Sequence, residues 1–257
     1  MRRPRRWRAS VWLPPVVAVV VLVVVWQLVA VGHRYVLPRP RAVLLQLVHH
    51  PGSFAHSGWV TLSEALLGLV IGCGVAFLLA TLMSQLAVVE RAVLPLAVVL
   101  NVTPVVAVAP ALQEAFGFGL TPKVLVAAVI CFFPTLIGTT AGLRAADPAV
   151  VEVLHTLYAS RREILWRAQL PSSLPYLFAV ARVCLPLSVV GAVVAEFVAE
   201  GSTSGLGTII QQAASNAELP RVYAAIICLG IIGVALVAII GVVERYALRW
   251  RRPARPM

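Results

Sequence analysis

The side chains best able to hold a metal or move a proton are four histidines, His33, His49, His50 and His56. Three of them crowd into the stretch VHHPGSFAH. No cysteine or carboxylate stands with them there, and metal or acid–base sites usually recruit such partners. A solvated loop is the simpler reading, and no metal is expected. Cys73, Cys131, Cys184 and Cys228 each lie alone inside an apolar run, without CxxC spacing, and read as small core hydrophobes. The chain has no GxxxxGK[ST] loop to cradle a nucleotide's phosphates, so it is not expected to hydrolyse ATP alone. Glu64, Glu114, Arg182 and Glu196 fall inside or beside apolar runs. Such groups are functional candidates by default. Glu64 and Glu114 sit near the expected ends of spans, Arg182 can snorkel to the surface, and the set looks too scattered for a proton relay.

The elements that must position these groups are hydrophobic. Of the 257 residues, 60% are hydrophobic and 12% charged, against roughly 25% charged in soluble domains. Six apolar segments are long enough to be spans, at about 11–32, 58–83, 92–116, 122–143, 174–199 and 222–246. Runs of this length in lipid must be helices. The first is too long for a signal-peptide core and reads as a retained span. The net charge of +11 suggests nucleic acid at first sight. The arginines instead flank the spans: with both termini inside, 15 basic residues face the cytoplasm and 5 face outward. No nucleic-acid partner is expected; membrane lipid is. The organisation is a basic N-terminus (1–10), one transmembrane domain (11–250) and a basic tail (251–257).

Within the spans, Gly68, Gly72, Ala76 and Ala80 make a small-residue stripe suited to close helix approach, within one subunit or between two. Pro104 and Pro110 are both expected to bend or break the third span, beside a translocation path or merely for packing. The segment FVAEGSTSGLG reads as a flexible polar loop. Asn101, Thr103, Gln113, Ser188 and Glu196 are the candidate pathway side chains, each of which could instead bond to a neighbouring helix.

One segment is out of place in so greasy a chain. Asp147 followed by Pro148 is a helix start. Val150, Val153, Leu154 and Leu157 then share an apolar face, with Glu152, His155 and Thr156 away from it. Ser160 and Glu163 form a capping box for a second helix, which LPSSLP is expected to end before the chain re-enters the membrane. The segment is a helix–turn–helix with its tip at 157–161. Lying on lipid, inert padding and docking into a soluble partner are all open to it.

The loop resembles the cytoplasmic signature of ABC-importer permeases: Glu-Ala-Ala, three residues, Gly, nine residues, Ile, one residue, Leu-Pro. Glu152 takes the Glu position, and Leu170 and Pro171 the Leu-Pro position. Val153 and Leu154 replace Ala-Ala, Tyr158 replaces Gly and Ala168 replaces Ile. The segments YVLPRPRAVLLQLV, TLSEALLGLVIGCGVAF, TPVVAVAPALQEAFGFG, LPSSLPYLFAVAR, AEF and SGLG follow in the family's order. The likeness covers residues 35–250 and points to the branch importing nitrate, sulfonates, taurine and related small solutes.

The resemblance implies an all-α integral membrane protein of the type I importer fold. It would sit in the bacterial inner membrane, multi-pass, with both termini cytoplasmic as the arginine distribution also predicts. It implies a permease subunit rather than an enzyme. The partners would be a second permease copy (taken as a homodimer), two ATP-binding subunits that bind ATP and Mg, and an extracytoplasmic solute-binding protein. No cofactor would bind this chain. Glu152, His155, Tyr158, Ala159, Ser160 and Arg161 would shape the coupling interface within a loop at 145–173, and Leu170 and Pro171 would fix its exit into the fifth span. The main alternative is a secondary transporter or channel driven by ion gradients, for which the sequence offers neither inverted repeats nor clustered intramembrane charge.

Overall fold

The computed structural model describes residues 8–32, 37–198 and 204–249. All regular structure among them is helical. The helices are α1 (Arg8–Gly32), α2 (Pro40–His49), α3 (Pro51–Gln85), α4 (Ala87–Val102), α5 (Val105–Phe116) and α6 (Leu120–Arg144). They continue with α7 (Pro148–Thr156), α8 (Arg161–Ile164), a π turn (Leu165–Gln169), α9 (Leu170–Val198), α10 (Leu206–Ser215) and α11 (Leu219–Ala247). Four helical runs are long and apolar enough to cross a membrane: α3, α6, the run Arg161–Val198 and α11. The bent pair α4 and α5 adds a broken fifth, and Val16–Gly32 within α1 is a shorter apolar helix. Five of the six expected spans are matched by these elements, and the first by a shorter apolar helix.

The third expected span departs from expectation. It is not one helix but two, meeting at 99°. The break sits at Thr103, whose backbone is extended, as a residue before proline prefers. Pro104 then lacks the amide that would carry the helix on. Pro110 lies inside α5 without ending it. Ala109 beside it packs with Val126 of α6 and Ala195 of α9.

The core is α3, α6 and α9. Gly68 and Gly72 of α3 lie against the α6 backbone around Val124 and Ala128, so the small-residue stripe serves packing within the subunit. A Cβ on Gly72 would come 2.8 Å from Ala128 Cα. On the other flank of α6, a Cβ on Gly191 of α9 would come 2.8 Å from Ala127 Cα. Backbones this close gain dispersion that larger residues would prevent. We therefore expect Gly72→Val to cost about 3 kcal/mol or more through overpacking, read as a lower Tm in detergent. Gly74→Val, with nothing within 4 Å of its new Cβ, should leave Tm nearly unchanged.

Three other expectations change. The histidine-bearing stretch is helical, with His49 ending α2 and His56 in the first turns of α3, while His33 lies outside the described residues. Among the described residues, no three His, Cys, Asp or Glu side chains gather as metal ligands do. Residues 199–203 of the expected flexible loop lie outside the described part, but Leu206 onward forms α10, whose first residues are buried. Finally, α3 begins at Pro51 rather than near 58, so Glu64 is well inside the helix and 2% exposed rather than near water.

Candidate functional site

The loop between α6 and α9 is built from local signals. Asp147 Oδ1 accepts the Ala149 amide at 2.9 Å, and Pro148 takes the first helical position of α7. At the far side of the turn, Ser160 Oγ accepts the Glu163 amide at 3.3 Å while Glu163 Oε2 accepts the Ser160 amide at 2.8 Å. The capping box expected from S-x-x-E is thus complete. Between the two caps the backbone turns tightly. The Tyr158 amide donates to His155 O and the Ala159 amide to Leu154 O, both at 3.0 Å. Tyr158 itself has φ +56°.

The loop's exposed surface carries apolar side chains among its polar ones. Of the expected apolar face, only Leu154 is half-buried, joined by Val151. Val150, Val153 and Leu157 point outward, Leu157 being 71% exposed. Glu152 and His155 are exposed, Ala159 is half-buried and Ser160 is exposed. No residue of α7 is buried. The α7 arm is therefore held by its caps rather than by packing.

Its second arm is rooted in the bundle. Ile164, Leu165 and Ala168 are buried. Arg161 Nη1 donates to the Gln85 carbonyl at 3.2 Å, and Gln85 Nε2 donates to Gln169 Oε1 at 3.2 Å. Arg161 therefore ties the loop to the end of α3. The expected stop at LPSSLP does not occur, and the chain runs helically from Arg161 to Val198. The π turn widens the helix just before Pro171, where the proline ring needs room, so Leu170 and Pro171 sit half-buried inside a continuous helix. Just before the first arm, Arg144 at the end of α6 pairs with Glu90 of α4 at 2.5 Å.

At the opposite end of the bundle lies a second constellation. Glu196, fully buried at the end of α9, accepts from Thr61 Oγ1 at 2.7 Å and from the Gly207 amide at 2.5 Å. Thr61 Oγ1 in turn accepts the Leu206 amide at 2.8 Å. A carboxylate and a hydroxyl thus satisfy the first amides of α10, where the helix dipole favours negative charge. Gly205, at φ +153°, leaves room for that carboxylate, which a Cβ would strike. One turn along α3 from Thr61, Glu64 pairs with Lys123 of α6 at 2.9 Å, both nearly inaccessible. The charges read as scattered in sequence are therefore partly gathered. Arg182, expected to snorkel, pairs with Glu244 of α11 at 2.5 Å, and Glu114 is exposed. Sequence reasoning missed Thr61, Lys123 and the α10 amides. The one available signal was that Lys123 is the single lysine beside twenty arginines.

The candidate pathway residues separate into two groups. Asn101 is exposed and Thr103 half-buried at the break between α4 and α5, with Thr103 Oγ1 donating to Val99 O at 2.8 Å. Gln113, Ser188 and Glu196 are buried inside the bundle. Gln113 Nε2 donates to Ala195 O at 3.3 Å and Ser188 Oγ to Leu185 O at 2.8 Å.

Residues 68–250, a range that contains both this loop and most of the second constellation, match the family model described as binding-protein-dependent transport system inner membrane component. The chain belongs to this family of ABC-importer permeases. Its relatives include the formylaminopyrimidine transport permease protein ThiX of Halalkalibacterium halodurans, 32% identical, with 93% of this chain and 96% of the relative covered. The aliphatic sulfonates transport permease protein SsuC of Bacillus subtilis, given as putative in its description, is 29% identical, with 97% and 91% covered. Among solved structures, an amino acid ABC transporter with histidines matches at a TM-score of 0.63 and 19% identity, over 79% of this chain and 97% of that one. The permease is a multi-pass membrane protein and a transport subunit, and the family's ATPase is a separate subunit. Membership weighs against the ion-gradient-driven alternative.

Proposed function

We propose that two copies of this permease form the membrane pathway of an importer, and that the loop 147–171 carries the stroke of two ATP-binding subunits to the spans. The observation that carries this reading is the loop's construction. It is a doubly capped helix–turn–helix, with apolar side chains among its exposed ones, and rooted through Arg161, Gln85 and Gln169 in α3 and the run leading into α9. A displacement applied at the tip reaches two core helices without passing through a flexible joint.

The excess of arginine at both termini and in this loop supports a cytoplasmic side for all three. ATP and Mg bind on the partner subunits, and a binding protein delivers solute from outside. The relatives' substrates point to a small organic solute of pyrimidine-like or sulfonate-like size. Asn101 and Thr103, beside the broken helix, are the pathway groups we favour, because backbone freed from helical pairing at membrane depth belongs beside a cavity or in protein. Gln113 and Glu196 spend polar atoms on neighbouring elements and hold the helices that flank that path, while Ser188 bonds back to Leu185 within its own helix. In proteoliposomes carrying the permease, its co-purified partners and its binding protein, uptake of labelled aminopyrimidine or alkanesulfonate should require ATP and survive proton and sodium ionophores. Uptake that ignores ATP and collapses with the ion gradient would overturn the reading.

A further inference from the structure

We infer that the cleft between α7 and the end of α3 is a binding site for a small organic oxyanion, a phosphate or sulfonate group carried on a short organic body. The inference goes beyond the importer reading and does not depend on what drives transport.

The cleft has a volume of about 290 Å3, near the lower end of small-molecule sites. It lies between two arms of unequal anchorage. Val151 and His155 of α7 line one side. Gln85 at the end of α3 lines the other, with Arg161, Ile164 and Gln169 of the run into α9. No residue of α7 is buried, whereas Ile164 is buried in the bundle. The gap thus separates an unpacked helix from a rooted one.

Electrostatics choose the ligand. Among the described residues, no carboxylate lines the cleft, and Arg161 stands in no ion pair. Its guanidinium is nevertheless held in place. Nη1 donates to the Gln85 carbonyl at 3.2 Å, which leaves the rest of a planar donor fork for a ligand. Gln85 Nε2 donates to Gln169 Oε1 at 3.2 Å, so the oxygen of Gln169 is engaged while its amide nitrogen has no protein partner among the described residues. His155 adds a ring N–H. A cleft with a fixed cation, spare N–H donors and no acid takes an anion. A guanidinium fork matches the paired oxygens of phosphate-type groups. Val151 and Ile164 supply apolar walls for the organic body. Bound there, the ligand ties α7 to α3 and to the run into α9. The headgroup of an anionic lipid and a free organic phosphate or sulfonate share this chemistry.

The test titrates glycerol phosphate calorimetrically into the full-length permease in nanodiscs of neutral phosphatidylcholine, where the wild type should bind it. Arg161→Gln should weaken that binding about tenfold or more, the loss expected of charge-assisted hydrogen bonds. Arg162→Gln removes the same charge from the adjacent residue, which does not line the cleft, and should leave Kd within about twofold. Val151→Trp fills the cleft without changing charge and should abolish binding at an unchanged Tm, because α7 buries no residue. In nanodiscs containing phosphatidylglycerol, with salt high enough to screen the surface, a raised apparent Kd identifies a lipid headgroup as the occupant and an unchanged one a soluble ligand. A wild type that binds no glycerol phosphate, or equal losses in Arg161→Gln and Arg162→Gln, overturns the site and leaves the importer reading standing.

Discussion

Glu152→Pro is expected to give a folded, membrane-inserted permease whose partner still hydrolyses ATP but whose solute uptake falls about 100-fold, the equivalent of roughly 3 kcal/mol. Position 152 lies inside α7, a helix of nine residues. Its amide would bond back one turn, and proline both removes that donor and drives its ring into the preceding carbonyl. Helices this short are marginal on their own and depend on their caps. One break therefore unravels α7 as a unit. The spans survive, because no residue of α7 is buried. Hydrolysis and uptake, measured together in proteoliposomes, report the uncoupling as a rise in ATP consumed per solute. Glu152→Ala separates charge from helix: alanine keeps α7, so any loss it causes belongs to the carboxylate. Normal uptake by Glu152→Pro would remove the loop from the coupling path.

The second large effect concerns the buried pair. Lys123→Met leaves the Glu64 carboxylate in the protein interior without its ammonium. Breaking one partner of such a pair costs about 3–5 kcal/mol, whereas replacing both by apolar residues is often neutral or better. Lys123→Met should therefore lower Tm sharply in detergent, and Glu64→Leu on that background should restore most of the loss. Lysine suits this place where arginine would not: its ammonium is compact, and the site offers one oxygen at 2.9 Å rather than a bidentate carboxylate face. A Lys123→Met permease as stable as the wild type would mean that the pair contributes nothing.

The features legible in the sequence are those that local physics decides. The six apolar segments follow from length and composition, because a bilayer imposes one minimal length on any span. The loop's two helix starts follow from Asp147, Pro148, Ser160 and Glu163, whose hydrogen bonds reach no further than three residues. What stayed hidden depends on tertiary context. Pro104 and Pro110 look alike in sequence, yet only Pro104 breaks its helix, and the turn that holds Pro110 is packed through Ala109 against α6 and α9. The apolar face of α7 was visible, but not that most of it would face outward, because a free surface and a core face share one periodicity. The constellation of Thr61, Glu64, Lys123 and Glu196 draws on α3, α6 and α9, and no local pattern announces such a meeting. Glycines 205 and 207 read as loop flexibility, when their role is to admit the Glu196 carboxylate.

Affinity purification of this permease from its native membrane in mild detergent, with mass spectrometry of the intact assembly, tests the central claim most directly. The account predicts an assembly of two permease copies and two copies of a subunit bearing a Walker A loop, held through the loop at 147–171. A permease that comes out alone, or in a complex without any ATP-binding subunit, while still supporting uptake would contradict it.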